Sequence, residues 1–286
     1  MNIHETVEKI KQLKPNFTPK VGVILGSGLG PVAEQIEDAV VIPYEQIPGF
    51  PKCGVVGHGG NLHLGILRGT PVACLQGRAH IYEGNIEVIK TLIRTLKLLG
   101  CEILINTNAV KISDKLLSMA SKFSNLQFVV SIDGYKQAND YSRWGSDWNT
   151  VIKNIKKIVS NGHKVTFNTV LSLYTIFHYK ELVDFLDTQF PNCLIHSQFA
   201  ENIYPFVFPF PADLKEKLET IKHTNAYNND VLFSSFVDGV IRHAKSSELD
   251  KDKLQHFFNF NDTLDISRNS CLNAYIPELE KLRELL

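Results

Sequence analysis

The chain reads as an α/β protein: one mostly parallel or mixed sheet flanked by helices, followed by a helical C-terminal region. Three observations carry this expectation. Apolar runs of strand length, such as Val21-Gly22-Val23-Ile24-Leu25 and Val165-Thr166-Phe167-Asn168-Thr169-Val170, alternate with longer stretches of helical spacing. Several of these runs end in turns built from Gly, Asn or Asp. From Pro205 to Leu286 helical patterns take over.

The elements follow in order. Ile3, Val7, Ile10 and Leu13 recur at helical spacing, and Pro15 stops that helix. The run Val21 to Leu25 is a buried strand, and it enters Gly26-Ser27-Gly28-Leu29-Gly30 with a helix expected from Pro31. A second glycine turn, Gly57-His58-Gly59-Gly60, precedes a hairpin of Leu62 to Leu67 and Val72 to Gln76. After Gly77-Arg78-Ala79-His80-Ile81-Tyr82-Glu83-Gly84 comes an amphipathic helix, Ile86 to Leu99, closed by Gly100. A strand, Ile103-Leu104-Ile105, runs into Asn106-Thr107-Asn108-Ala109.

Beyond it, Ser113 is an N-cap for a helix carrying Leu116, Leu117, Met119, Ala120 and Phe123. Strands are expected over Leu126 to Gly134, Val165 to Val170 and Cys193 to His196. Helices are expected over Val151 to Val159, closed by Asn161-Gly162, and over Tyr179 to Phe190. The Tyr204 to Pro211 run of aromatics and prolines suits an extended loop whose rings pack on the core. Helical patterns then cover Asn228 to His243, Asp250 to Phe260 and Pro277 to Leu286.

Thirty basic residues balance thirty acidic ones, which argues against bulk attraction to nucleic acid or an anionic membrane. A small-molecule ligand or a protein partner is expected instead. The five cysteines, Cys53, Cys74, Cys101, Cys193 and Cys271, are scattered, which fits reduced thiols and supplies no disulfide framework or metal-ligand spacing. The N-terminal stretch lacks the apolar core of a signal peptide, and no apolar run has the length of a membrane span. A cytoplasmic protein is expected.

The glycine loop at residues 26–30 presents backbone N–H groups to an anion at a helix start, and Ser27 adds a hydroxyl donor. Arg78 offers a forked cation suited to phosphate oxygens, and His80 a hydrogen bond or a proton. Taken singly, Arg78 also suits a surface ion pair, and His58 and His80 suit polar loop positions. In sequence order, these motifs together with Pro48-Gly49-Phe50-Pro51 and Thr107-Asn108-Ala109 resemble the N-terminal part of trimeric-type purine nucleoside phosphorylases. The resemblance implies that Ser27, His58, Arg78 and His80 surround phosphate, with His80 as the catalytic candidate. It adds the Ala109 backbone as a further phosphate contact and sets Tyr82 beside the ribose. Donors of this kind orient the phosphate nucleophile, whose charge stabilises the cationic sugar formed as the glycosidic bond breaks. The family's purine-holding second half has no recognisable counterpart after Ala109.

Ser131-Ile132-Asp133-Gly134, Arg143-Trp144-Gly145 and Asn161 to Val170 resemble instead the middle strands of radical S-adenosylmethionine enzymes. That likeness implies a partial parallel barrel, with Ser131 and Asn168 as a vestigial S-adenosylmethionine site. The family's Cys-x-x-x-Cys-x-x-Cys loop is missing, so an iron–sulfur cluster is excluded on cysteine spacing and no cofactor is expected. The expected organisation is a phosphorylase-like half (1–109), a partial-barrel half (110–204) and a helical region (205–286), joined near Asn106 to Lys111. The expectation is a chimeric α/β chain with a phosphate site and no complete catalytic site. A purine nucleoside phosphorylase, converting nucleoside and phosphate to base and pentose 1-phosphate, is the alternative, and a radical S-adenosylmethionine protein a further one. Phosphate or a nucleoside is the expected ligand, and a homo-oligomer is compatible with the first half.

Overall fold

In the computed structural model, residues 3–25, 30–48, 60–76, 102–123, 126–201 and 203–286 are described. Eight strands form a mixed sheet in the order β2-β3-β4-β1-β5-β6-β7-β8, flanked by helices and followed by a helical C-terminal region. The α/β class expected from the periodicity is the class observed, with a mixed sheet. The chain divides into two compact units, residues 1–105 with 113–128, and residues 106–112 with 129–286.

In the first unit, β1 (Val21–Leu25) pairs in parallel with β4 (Thr70–Gln76), and β4 pairs antiparallel with β3 (Asn61–Leu67). The hairpin turn holds Arg68 and Gly69 at φ 48° and 77°, the left-handed pair that a two-residue connection requires. One strand escaped the sequence reading. β2 (Glu37–Pro43) is an edge strand antiparallel to β3, and its mostly exposed residues carry no clean alternation. It bulges between Glu37 and Val40, and Asp38 takes φ 50°. Gly65 is required opposite this bulge, because a Cβ there would lie 2.5 Å from the Glu37 carbonyl oxygen.

Lys14, just past the helix Ile3–Leu13, pins the same corner. Its Nζ donates to the Leu64 carbonyl at 3.1 Å and pairs with Asp38 Oδ2 at 3.1 Å. The helix expected from Pro31 is a short one, Gly30–Glu34, and it supplies Ala33 to a core with Leu25, Ile36, Val72 and Cys74. β5 (Glu102–Thr107) pairs in parallel with β1, and Ser113 caps the helix Asp114–Ala120 by accepting from Leu116 N–H at 3.1 Å.

In the second unit, β7 (Lys164–Leu171) and β8 (Leu194–Phe199) pair in parallel, in register from Thr166 with Leu194 to Leu171 with Phe199. β6 (Leu126–Ser131) ends three residues before the expected Gly134, because Asp133 and Gly134 turn away into a short helix, Gln137–Ser142. The helix Trp148–Ser160 is capped by Asp147, which accepts from Thr150 N–H at 2.8 Å, and it buries Val151, Ile152, Ile155 and Ile158. Gly162 at φ 80° lets the chain leave that helix for β7. The helix Tyr179–Gln189 buries Tyr179, Leu182, Val183 and Leu186. Buried Tyr179 shares its hydroxyl with Ser197 at 2.9 Å, and Ser197 meets Thr169 at 2.7 Å.

The aromatic and proline run packs as expected: Phe206, Phe208 and Phe210 are buried, and Phe208 stacks on Phe210 at 4.7 Å. Burying each ring contributes roughly 2–3 kcal/mol. The expected Asn228 to His243 helix is divided into Asn225–Asn229 and Val231–Lys245. Asp230 stays extended between them and accepts from Leu232 and Phe233 N–H as the second helix's cap. The next helix, Lys251–Arg268, outruns the expected end at Phe260 and stops only where Asn269 turns left-handed. Leu272–Tyr275 and Glu278–Arg283 are the last helices among the described residues. No helix among the described residues is long and apolar enough to cross a membrane.

Candidate functional site

Ser27, His58, Arg78, His80 and Tyr82, together with the Ile86 to Leu99 helix, lie outside the described residues. Of the expected phosphate contacts, Ala109 is described. β5 ends at Thr107, whose Oγ1 accepts from Ala109 N–H at 3.0 Å, and Asn108 Oδ1 accepts from Val110 N–H at 3.2 Å. These local bonds are why Thr and Asn suit this turn. Ala109 is fully buried at φ 55°, a left-handed conformation that costs alanine about 1–2 kcal/mol. Asn154 Nδ2 donates to the Ala109 carbonyl at 2.7 Å and to the Val110 carbonyl at 3.1 Å.

Ser131 closes β6 half-buried, and half-buried Asn168 lies in β7, its carbonyl accepting from Ile132 N–H at 3.0 Å. Asp133, next to them, serves as a clamp. Its Oδ1 accepts from Val170 N–H at 2.9 Å and from Arg143 at 3.1 Å, and its Oδ2 faces Arg143 Nε at 2.9 Å. Its oxygens are therefore committed to holding β7 and the Gln137–Ser142 helix end.

A cavity of about 770 Å³ opens in the second unit, at the C-terminal ends of β7 and β8. Val170, Gln198 and Phe199 line it from the strands, and Phe257, Phe260 and Arg268 from the helix Lys251–Arg268. Tyr141 and Tyr174 form its polar wall. Both hydroxyls donate toward Asn261 Oδ1 at 2.9 Å, and Tyr141 also reaches Asp265 Oδ1 at 2.9 Å. Burial, then the hydrogen bond to Asp265, holds the Tyr141 phenol above its ordinary range. Burial raises Tyr174 as well, opposed by its bond to Asn261. Asp265 additionally accepts from Ser270 Oγ at 2.7 Å and Leu272 N–H at 2.6 Å. Asn261, Asp265 and Arg268 had escaped the sequence reading. They sit in a polar helix more than a hundred positions beyond Tyr141, and a buried Asn in mid-helix has no local signature.

Cys74, Cys193 and Cys271 are free thiols, and among the described residues no group of three or more His, Cys, Asp or Glu is placed to hold a metal ion.

Residues 20–110 match the family model described as the phosphorylase superfamily. Purine nucleoside phosphorylase 1 of Bacillus subtilis is 52% identical over 101 residues, covering 35% of this chain and 37% of that protein. Purine nucleoside phosphorylase 1 of Geobacillus stearothermophilus is 45% identical over 108 residues, covering 37% of this chain and 39% of that protein. The chain thus spans less than two-fifths of the length of these relatives. Among solved structures, isoform 2 of purine nucleoside phosphorylase from Schistosoma mansoni, in complex with cytosine and ribose-1-phosphate, is 37% identical. That match covers 46% of this chain and 39% of that chain, with a TM-score of 0.34. The N-terminal region of this chain is similar to purine nucleoside phosphorylases.

Proposed function

We propose that residues 20–110 supply a phosphorylase-type site for phosphate or the phosphate of a pentose 1-phosphate, and that this chain binds the anion without completing nucleoside phosphorolysis. The observation that carries the reading is where the family match ends, at residue 110, one residue past Ala109. The phosphate-binding motifs fall within the match. The part that would hold and protonate a leaving purine does not. From Val110 onward the chain enters the Asn154-held turn and the Ser113-capped helix.

In this reading Arg78 and Ser27 orient phosphate, His58 and His80 donate to its oxygens, and the Ala109 amide completes the cradle. Tyr82 lies beside the sugar. Binding then stabilises a phosphate or sugar phosphate, but no group protonates a departing base. The stretch from Ser131 to Val170 is read as a barrel fragment related to radical S-adenosylmethionine enzymes, supported by its residue pattern alone. Without the cluster loop it performs no radical chemistry.

A second reading, a working purine nucleoside phosphorylase, is favoured by the 52% identity to the Bacillus subtilis enzyme across the matched part. One experiment separates the two. Phosphate binding is measured by calorimetry, and hypoxanthine release from inosine plus phosphate by absorbance, for the protein and for Arg78→Ala and Arg78→Lys. The expected result is phosphate binding weakened on the order of tenfold or more by Arg78→Ala, less by Arg78→Lys, with no hypoxanthine released. Turnover that disappears in Arg78→Ala establishes the working enzyme instead. Absence of phosphate binding by the folded protein overturns both.

A further inference from the structure

The cavity at the ends of β7 and β8 takes no part in the phosphate reading, and all its lining residues belong to the second unit. Parallel strands leave crevices at their C-terminal ends, where ligands of α/β proteins commonly sit. The walls of this one are fixed before any ligand arrives. Asn261, fully buried, ties the hydroxyls of Tyr141 and Tyr174 together, and its Nδ2 is held by the Phe257 carbonyl at 2.7 Å. Tyr174 and Phe257 pack at 5.1 Å.

Arg268 stands out against this aromatic lining. It is half-buried, its guanidinium lies 5.0 Å from the Trp144 ring and 5.9 Å from the Tyr141 ring, and Nη1 donates to the Tyr141 carbonyl at 3.3 Å. Among the described residues no carboxylate pairs with it. A guanidinium has five N–H donors, and among the described residues one hydrogen bond, to the Tyr141 carbonyl, engages this fork. A positioned, unpaired, partly desolvated guanidinium calls for an anion. The apolar rings beside it call for a planar apolar body. Exposed Glu201 also lines the cavity, and its charge disfavours a dianion.

We propose that this cavity binds a small aromatic carboxylate, its single negative charge on Arg268 and its ring against Phe199, Phe257 and Phe260. The charge selects acids over their neutral amides, and the aromatic walls select arenes over inorganic anions.

The test uses phenylacetate and indole-3-acetate as probes, each beside its amide, with the full chain. Binding is followed by saturation-transfer NMR and, for phenylacetate and its amide, by the fluorescence of Trp144 and Trp148. The acids are expected to bind at least tenfold more tightly than the amides. Arg268→Gln is expected to erase that ratio while leaving amide binding unchanged. Phe260→Ala, at a side chain 53% exposed and so tolerant of truncation, is expected to weaken acid and amide alike. Inorganic phosphate at saturating concentration is expected to leave probe binding unchanged, which separates this site from the phosphate site proposed above. Equal affinity for acid and amide overturns the proposal. So do an acid-to-amide ratio that survives Arg268→Gln, competition by phosphate, and absence of binding by any probe. Should Arg268→Gln fail to fold, the ratio in the unmodified protein and the Phe260→Ala result still decide.

Discussion

Replacing Asn261 by leucine tests whether one buried amide holds the aromatic wall. Asn261 is 0% exposed, and leucine is close to it in size, so the change is mainly polar. Tyr141 keeps Asp265 as an acceptor at 2.9 Å and turns its proton there. Tyr174, 7% exposed, loses the one acceptor its hydroxyl has among the described residues and is left orphaned. An unsatisfied buried hydroxyl costs about 1–3 kcal/mol, so Asn261→Leu should lose roughly 2 kcal/mol, or about 4–8 °C in Tm. Tyr174→Phe alone removes the donor while Asn261 keeps Tyr141, and should cost less than about 1 kcal/mol. In the double variant both partners are gone, so Asn261→Leu should cost less in the Tyr174→Phe background, with a coupling of about 1 kcal/mol or more. Urea unfolding followed by tryptophan fluorescence is the assay. Both tryptophans, Trp144 and Trp148, lie in the second unit. Costs that add within about 0.3 kcal/mol, or an Asn261→Leu cost under about 0.5 kcal/mol, would refute the network reasoning.

Two further outcomes follow from other parts of the chain. Cys74 is 1% exposed, and burial pushes its thiol from 9.0 up to about 11. The unfolded chain therefore releases this proton first, so the thiol's contribution is whole below about pH 9 and is lost as pH rises toward 11, at most about 3 kcal/mol. Urea midpoints between pH 8 and 10.5 should fall more steeply for the protein than for Cys74→Ala, and parallel profiles would contradict this. Asn154→Ala removes the donor to two carbonyls at a half-buried site that water can partly refill. It should cost about 1 kcal/mol by the same unfolding assay, and an unchanged midpoint would show that the amide does not hold the turn.

Much of the fold was legible because burial writes itself as periodicity. β1, β3, β4, β5, β6, β7 and β8 all coincide with apolar runs. β2 was not legible: at the sheet edge its residues are mostly exposed, and a bulge interrupts what alternation remains. The helix Gln137–Ser142 was hidden for a related reason. It buries Ala138, Asn139 and Tyr141 through a single turn and a half, too short to show a period. Asp133 looked like a turn residue, yet its carboxylate reaches Val170 across 37 positions, a contact no local pattern announces. The cavity was illegible as a whole, because Tyr141, Tyr174 and Asn261 meet only after β6, β7 and the Lys251–Arg268 helix have been placed. Arg268 lies beyond Phe260, where the sequence pattern ends the helix, so its place as a favourable charge at the helix C-terminus was hidden too.

The turn at Thr107-Asn108-Ala109 satisfies its own amides with its own side chains and asks only one thing of its surroundings, a donor for the two carbonyls that follow. Its demands on the rest of the protein are therefore slight. A coupling with so few terms is indifferent to what comes next: any helix that sets one amide where Asn154 stands can close it. The end of the strand is thus shaped locally, with Asn154 as its brace from outside the turn.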